Sequence, residues 1–153
     1  MSYNTVDEAD LYVTSNYIST DSLRVSWEEL STDDRQALLN KAYSIINSLP
    51  LRGCKASVDQ PGAFPRYGSK EIPQQVKYAE VEIAIAFTDT EQLSELAEYK
   101  SKADYGIASY RLGNFSETLL SYARDSLQLK YGLISTAAER LLTPWMSGGF
   151  CIE

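Results

Sequence analysis

The stretch STDDRQALLNKAYSIINSLP, Ser31 to Pro50, decides the fold class. Ser31 is a residue type that favours the position just before a helix, where its hydroxyl accepts from an orphan backbone amide. Asp33 and Asp34 follow in the first turn, where the helix dipole favours negative charge. Leu38, Leu39, Ala42, Ile45, Ile46 and Leu49 then recur at steps of three and four, the period of an amphipathic helix. Pro50 has no N–H and ends the run. The pattern predicts a helix over 32–48 whose apolar face needs other elements to cover it.

Similar signals extend to both sides. Thr5-Val6-Asp7-Glu8 reads as a capping box, and Ala9, Tyr12, Val13 and Tyr17 continue it as a helix over about 6–17. Ser19 to Arg24 is polar and reads as loop, with Trp27 and Leu30 in a short helical turn. Downstream, residues 50–72 hold three of the five prolines and three of the eight glycines and carry no period. Leu51, Val58 and Phe64 offer that stretch apolar anchors, so it is expected to be an ordered loop. Ile72-Pro73 opens a helix to about residue 88 through Val76, Ala79, Ile83, Ala84 and Phe87, with Glu80 and Glu82 off the stripe. Residues 89–104 fit either an extension of that helix or a loop. Gly113-Asn114 between Tyr105–Leu112 and Phe115–Leu120 is a two-residue hairpin signal. A helix over about 119–129 and another over 135–142, stopped by Pro144, complete the pattern. The fold class is therefore mainly α: a small helical bundle with a long ordered loop and a short strand or hairpin element. One domain over 1–146 is expected, with a flexible C-terminal tail over 147–153.

Composition narrows the function. Net charge is −7, opposite in sign to that of a protein whose main surface neutralises phosphates. The charge is uneven. Residues 1–50 carry eight acidic and three basic side chains, net −5, whereas Arg52, Lys55, Arg66 and Lys70 stand against Asp59 alone in 51–70, net +3. The chain has no histidine and two distant cysteines, Cys54 and Cys151, so neither a Cys/His zinc site nor a Ser-His or Cys-His nucleophile can be assembled. GAFPRYGSK, Gly62 to Lys70, misses the phosphate-loop spacing, because Tyr67 and Gly68 stand where glycine and lysine are required. The carboxylate pairs Glu28/Glu29 and Glu80/Glu82 point apart on a helix, and Glu91/Glu95 suits a solvated face. No GxSxG elbow is present. The chain is expected to be no enzyme and to need no cofactor or metal. No apolar run approaches the ~20 residues of a membrane span, and the N-terminus has no signal-peptide pattern, so a soluble protein made in the cytoplasm is expected, with no membrane partner.

Two features suggest binding. Eleven tyrosines supply rings that are apolar in the body and polar at the tip, suited equally to a half-buried core and to an interface. The basic cluster Arg52, Lys55, Arg66 and Lys70 is most simply a solvated loop or a set of ion pairs with the acidic N-terminal half. Its functional reading is contact with DNA or an acidic partner, with Tyr67 as a platform on which a base can stack.

Several segments together resemble a known family. They are Trp27, Ala37-Leu38 through Ala42 to Ile46, Leu49-Pro50-Leu51-Arg52-Gly53-Cys54-Lys55, Asp59-Gln60-Pro61, Phe64-Pro65-Arg66 and Ile72-Pro73 with Val76-Lys77 and Ala79. Arg111 to Ser116 and Leu141-Leu142-Thr143-Pro144-Trp145 continue the likeness. Their order resembles that of tailed-bacteriophage head–tail connector (adaptor) proteins, some of which carry a DnaT-like single-stranded-DNA-binding label. The resemblance implies a helical virion subunit at the head–tail junction. It implies a homo-oligomeric ring, typically of twelve, beneath the portal protein, a platform for the tail or stopper protein, and transient passage of double-stranded DNA. In that reading the apolar C-terminal residues Leu142, Trp145, Phe150 and Ile152 dock on the portal, and Arg52, Lys55, Arg66 and Lys70 face DNA or a neighbouring subunit. The alternative is a single-stranded-DNA-binding protein that uses the basic loop and Tyr67.

Overall fold

The computed structural model describes residues 1–104, 109–112, 115–118 and 131–146. It is mainly helical, as the periodicity predicts. The helices are α1 (Val6–Asn16), α2 (Ser22–Glu29), α3 (Thr32–Ser48), α4 (Gln74–Ala86), α5 (Thr90–Asp104) and α6 (Thr136–Leu142). A 3-10 turn over Thr143–Trp145 follows α6, with Pro144 in its opening positions. The strands β1 (Ser109–Leu112) and β2 (Phe115–Thr118) pair antiparallel, with Leu112 opposite Phe115, the register expected of a two-residue turn. The helix read over 119–129 and the tail over 147–153 lie outside the described residues.

Local signals place most of these boundaries. The Thr5 hydroxyl accepts from the Glu8 amide at 3.2 Å, and the Thr5 amide donates back to the Glu8 carboxylate at 2.9 Å. Ser31 caps α3 through the Asp34 amide at 3.1 Å. The polar segment before Trp27 is not all loop. The Asp21 carboxylate accepts from the Leu23 amide at 2.9 Å and starts two full turns of α2. Residues 90–104 form a helix of their own.

Helix α4 is the axis of the fold and packs against α1, α2, α3 and α6. Every residue from Ala79 to Ala86 is buried. The sequence shows one apolar stripe there, yet over these eight residues the helix is enclosed, because it packs against α1, α2, α3 and α6 and against the N-terminal segment. Glu80 and Glu82 are therefore interior residues, not members of a solvated face. Glu80 has 0% exposure, and its carboxylate accepts from the Tyr3 amide (2.8 Å), the Asn4 amide (2.9 Å) and the Asn4 side-chain amide (2.7 Å). Glu82 accepts from the hydroxyls of Tyr12 (2.7 Å) and Tyr17 (2.8 Å). The two carboxylates do point apart, as their spacing requires. Each is satisfied in the way a buried charge must be, by several donors converging on it. Burial, and then the bonds to Glu82, push the Tyr12 and Tyr17 hydroxyls well above the ordinary tyrosine value.

Burial pushes the Glu80 carboxyl up from 4.5 to about 7, against the opposing pull of the Tyr3 and Asn4 donors and the nearby Lys77 charge. The folded chain therefore holds this proton more tightly than the unfolded chain does. The stability that Glu80 contributes is complete below the unfolded value and is lost as pH rises through the folded value. We expect chemical denaturation to show this as a change of about 2 kcal/mol in the difference between wild type and Glu80→Gln from about pH 5 to about pH 7.5, the variant lacking that slope.

Candidate nucleic-acid interface

The long loop between α3 and α4 is ordered by its own polar groups. Lys55 and Arg66 face each other in an isolated antiparallel bridge, flanked by Ala56 N–H to Pro65 O (3.0 Å) and Tyr67 N–H to Cys54 O (3.2 Å). Gln60 braces the tip, donating to Gly62 O (3.0 Å) and Pro65 O (2.9 Å) while accepting from the Ser57 amide (3.0 Å). The base is fastened to the last helical turn by the Arg52 amide, which donates to Trp145 O at 2.7 Å, and by a bridge between Leu51 and Met146.

Arg66 is the internal fastener. Its guanidinium donates to Arg52 O (2.9 Å), Leu51 O (3.0 Å), Ala63 O (3.2 Å) and Gly53 O. These are four loop carbonyls with no helix or sheet to satisfy them, and a planar fork of five donors suits them. The other side of the loop is held by Tyr3. Its hydroxyl donates to Asn47 Oδ1 (2.7 Å) and accepts from the amides of Ala63 (3.1 Å) and Phe64 (3.3 Å). Burial above all pushes this hydroxyl up to about 12, so it remains protonated and available as a donor.

Three of the four basic residues remain turned to solvent. Arg52, Lys55 and Lys70 are exposed, and among the described residues none of them forms an ion pair. The Lys55 ammonium reaches the Gln60 carbonyl at 3.5 Å. Beside them Tyr67 is 62% exposed. It lies on Gly53, so close that a Cβ built there would come 2.3 Å from Tyr67 Cε1. Gly53 also has φ +76°, a left-handed conformation that glycine adopts freely. One glycine thus supplies both the turn and the seat for the ring. The sequence reading names Tyr67 as a platform but misses Gly53 and the fastening role of Arg66. The only available signal was the dense glycine and proline spacing around them.

The acidic half does not neutralise the loop. Arg24 pairs with Glu28 (2.7 Å), Arg35 pairs with Asp10 (2.8 Å), and Lys41 sits 3.6 Å from the centre of the Phe87 ring. The basic groups of the first fifty residues are therefore used within the helical body, which keeps its acidic surplus. Among the described residues no cluster of three metal-ligating side chains exists.

The family model described as "Putative DnaT-like ssDNA binding protein" matches residues 1–152. The chain belongs to that family. No curated protein and no solved structure matches it. The family match covers nearly the whole chain and is not to a head–tail connector family, so it overturns the connector expectation, with its twelve-membered ring, portal and tail or stopper partners and passing duplex. Leu142 has no exposed surface and belongs to the core, while Trp145 packs edge-on against Phe64 with ring centroids 5.9 Å apart. Leu142 is therefore not a free apolar anchor, whereas Trp145 is only partly buried. Phe150 and Ile152 lie outside the described residues.

The two kinds of loop cation are separable by substitution. Arg66→Lys leaves most of the four carbonyls without a donor and is expected to lower unfolding free energy by about 1–3 kcal/mol. Arg52→Lys and Lys55→Arg, at solvent-facing positions, are expected to stay within about 0.5 kcal/mol of wild type in the same denaturation experiment.

Proposed function

We propose that this protein binds single-stranded DNA through the loop over residues 51–70, and that it is a binding protein without catalytic activity. The observation that carries the reading is exposed Tyr67, its ring held on Gly53, beside the side chains of Arg52, Lys55 and Lys70, which form no ion pair among the described residues. Proteins that hold single strands combine cations that track phosphates with aromatic rings on which bases stack. A duplex hides its base faces in its own stack, so an exposed ring selects a strand whose bases are already free. The family to which the chain belongs supports the same ligand.

Charge then fixes the character of the contact. The helical body is acidic and repels phosphates, so the strand is held at the loop and not along the whole surface. With three phosphate-facing cations, each releasing counterions at about 0.7 in the exponent, the logarithm of affinity falls with the logarithm of salt at a slope of roughly −2. Stacking tolerates any base, so sequence preference is weak.

Fluorescence anisotropy with a labelled oligothymidylate tests this. Wild type is expected to bind at low salt with that shallow slope. Tyr67→Ala is expected to weaken binding by about 1–3 kcal/mol, the range for one base stacked on an aromatic ring. The triple variant Arg52→Glu, Lys55→Glu, Lys70→Glu is expected to abolish binding. An affinity for the oligonucleotide that ignores all four substitutions would sink the proposal.

A further inference from the structure

Two of the large apolar side chains left exposed, Leu11 (69%) and Tyr78 (37%), line the same cleft between α1 and the start of α4. Its volume is about 310 Å³, at the lower end of the roughly 300–1,000 Å³ of small-ligand sites. The Tyr78 ring packs on the Tyr12 ring, with centroids 4.7 Å apart and planes 35° apart. Tyr12 is itself fixed by its bond to the buried Glu82 carboxylate at 2.7 Å. The platform is therefore held from beneath, as Tyr67 is held by Gly53.

The rim is polar and largely uncharged. Asn16 uses its side-chain N–H on Tyr12 O at 2.8 Å, which leaves its side-chain oxygen as an acceptor. The Gln74 amide is exposed and uncommitted among the described residues. Glu8 also borders the cleft, but Lys77 Nζ (2.9 Å) and the Thr5 amide (2.9 Å) occupy its oxygens. An anchored ring with neutral amide groups beside it suits a planar heterocycle with hydrogen-bonding edges, and offers little to a phosphate.

The cleft is tied to the loop through two short stretches of chain. Asn4 lines it, while the preceding residue Tyr3 clasps Ala63 and Phe64, and neighbouring Cα atoms are only about 3.8 Å apart. Gln74 follows Lys70 by four residues, so their Cα atoms are separated by at most about 14 Å. We propose that this cleft receives an unpaired nucleobase of the strand held at the loop, stacked on Tyr78 and hydrogen-bonded at its edge by Gln74 and Asn16. The inference rests on the single-stranded-DNA reading and adds a second contact to it.

Two measurements test it, with thermal unfolding as the check that each variant is folded. In anisotropy with an oligothymidylate of about twelve nucleotides, within the range of known single-strand site sizes, Tyr78→Ala is expected to lower affinity roughly five- to a hundredfold. Gln74→Glu keeps the platform and is expected to lower it as well, by placing a negative charge at the rim. In heteronuclear NMR, free thymidine is expected to shift the amide signals of Ser15, Asn16 and Gln74 in wild type and in Tyr67→Ala, but not in Tyr78→Ala. Oligonucleotide binding that depends on the loop while both cleft variants match wild type would overturn the cleft and leave the loop reading standing. Thymidine shifts at the cleft with oligonucleotide binding indifferent to the loop variants would do the reverse. No shift and no binding would remove both.

Discussion

A carboxylate at the centre of α4 organises the molecule. Glu80 is wholly enclosed, and the donors that make its burial tolerable come from Tyr3 and Asn4, at the far end of the sequence. Removing one partner of such an arrangement strands the other, which is why buried polar groups of this kind specify a single geometry. Once Glu80 has drawn in the N-terminal segment, the Tyr3 ring lies against Tyr43 and Phe64, and its hydroxyl meets the backbone of the long loop. The position of a surface loop is thereby set from the core.

The same arrangement makes an acidic protein compatible with the anionic ligand proposed for it. The cations of the first fifty residues are used locally, so they neither shield the loop nor extend its footprint. Within the loop, charge is divided by role. Arg66 faces inward to backbone carbonyls, while Arg52, Lys55 and Lys70 face solvent. Counting charges along the sequence gives net +3 for this segment, but only three of its four cations are free to meet a phosphate.

What the sequence discloses is what local chemistry controls. The boundaries of α1 and α3 follow from Thr5, Glu8, Ser31 and Pro50, whose partners lie within a turn or whose rings end the helix directly. The hairpin follows from Gly113-Asn114, and Tyr67 can be read as an exposed platform from its place in a glycine-rich loop. The burial of Glu80 and Glu82 is not legible in this way. Their partners are about seventy residues distant, and a local period sees only two charged residues off an apolar stripe. Asp21 was missed because a polar run gives no period. The burial of Leu142 is equally hidden, because nearness to the chain's end suggests few neighbours, whereas its helix packs on α4. Of the two readings that the family likeness carried, the family match goes against the connector and favours the single-strand label kept as the alternative.

The inward-facing Arg66 has a thermodynamic consequence. A loop without regular hydrogen bonding would ordinarily lose much of its conformational freedom when a ligand arrives, and affinity would fall by that amount. Here the guanidinium, Gln60 and Tyr3 impose the ordering while the chain folds. On the proposed single-strand reading, association meets a surface that is already rigid, and the apolar area removed from water is confined to the stacked rings and bases. Its heat-capacity signature is correspondingly small, unlike that of a segment that folds onto its target.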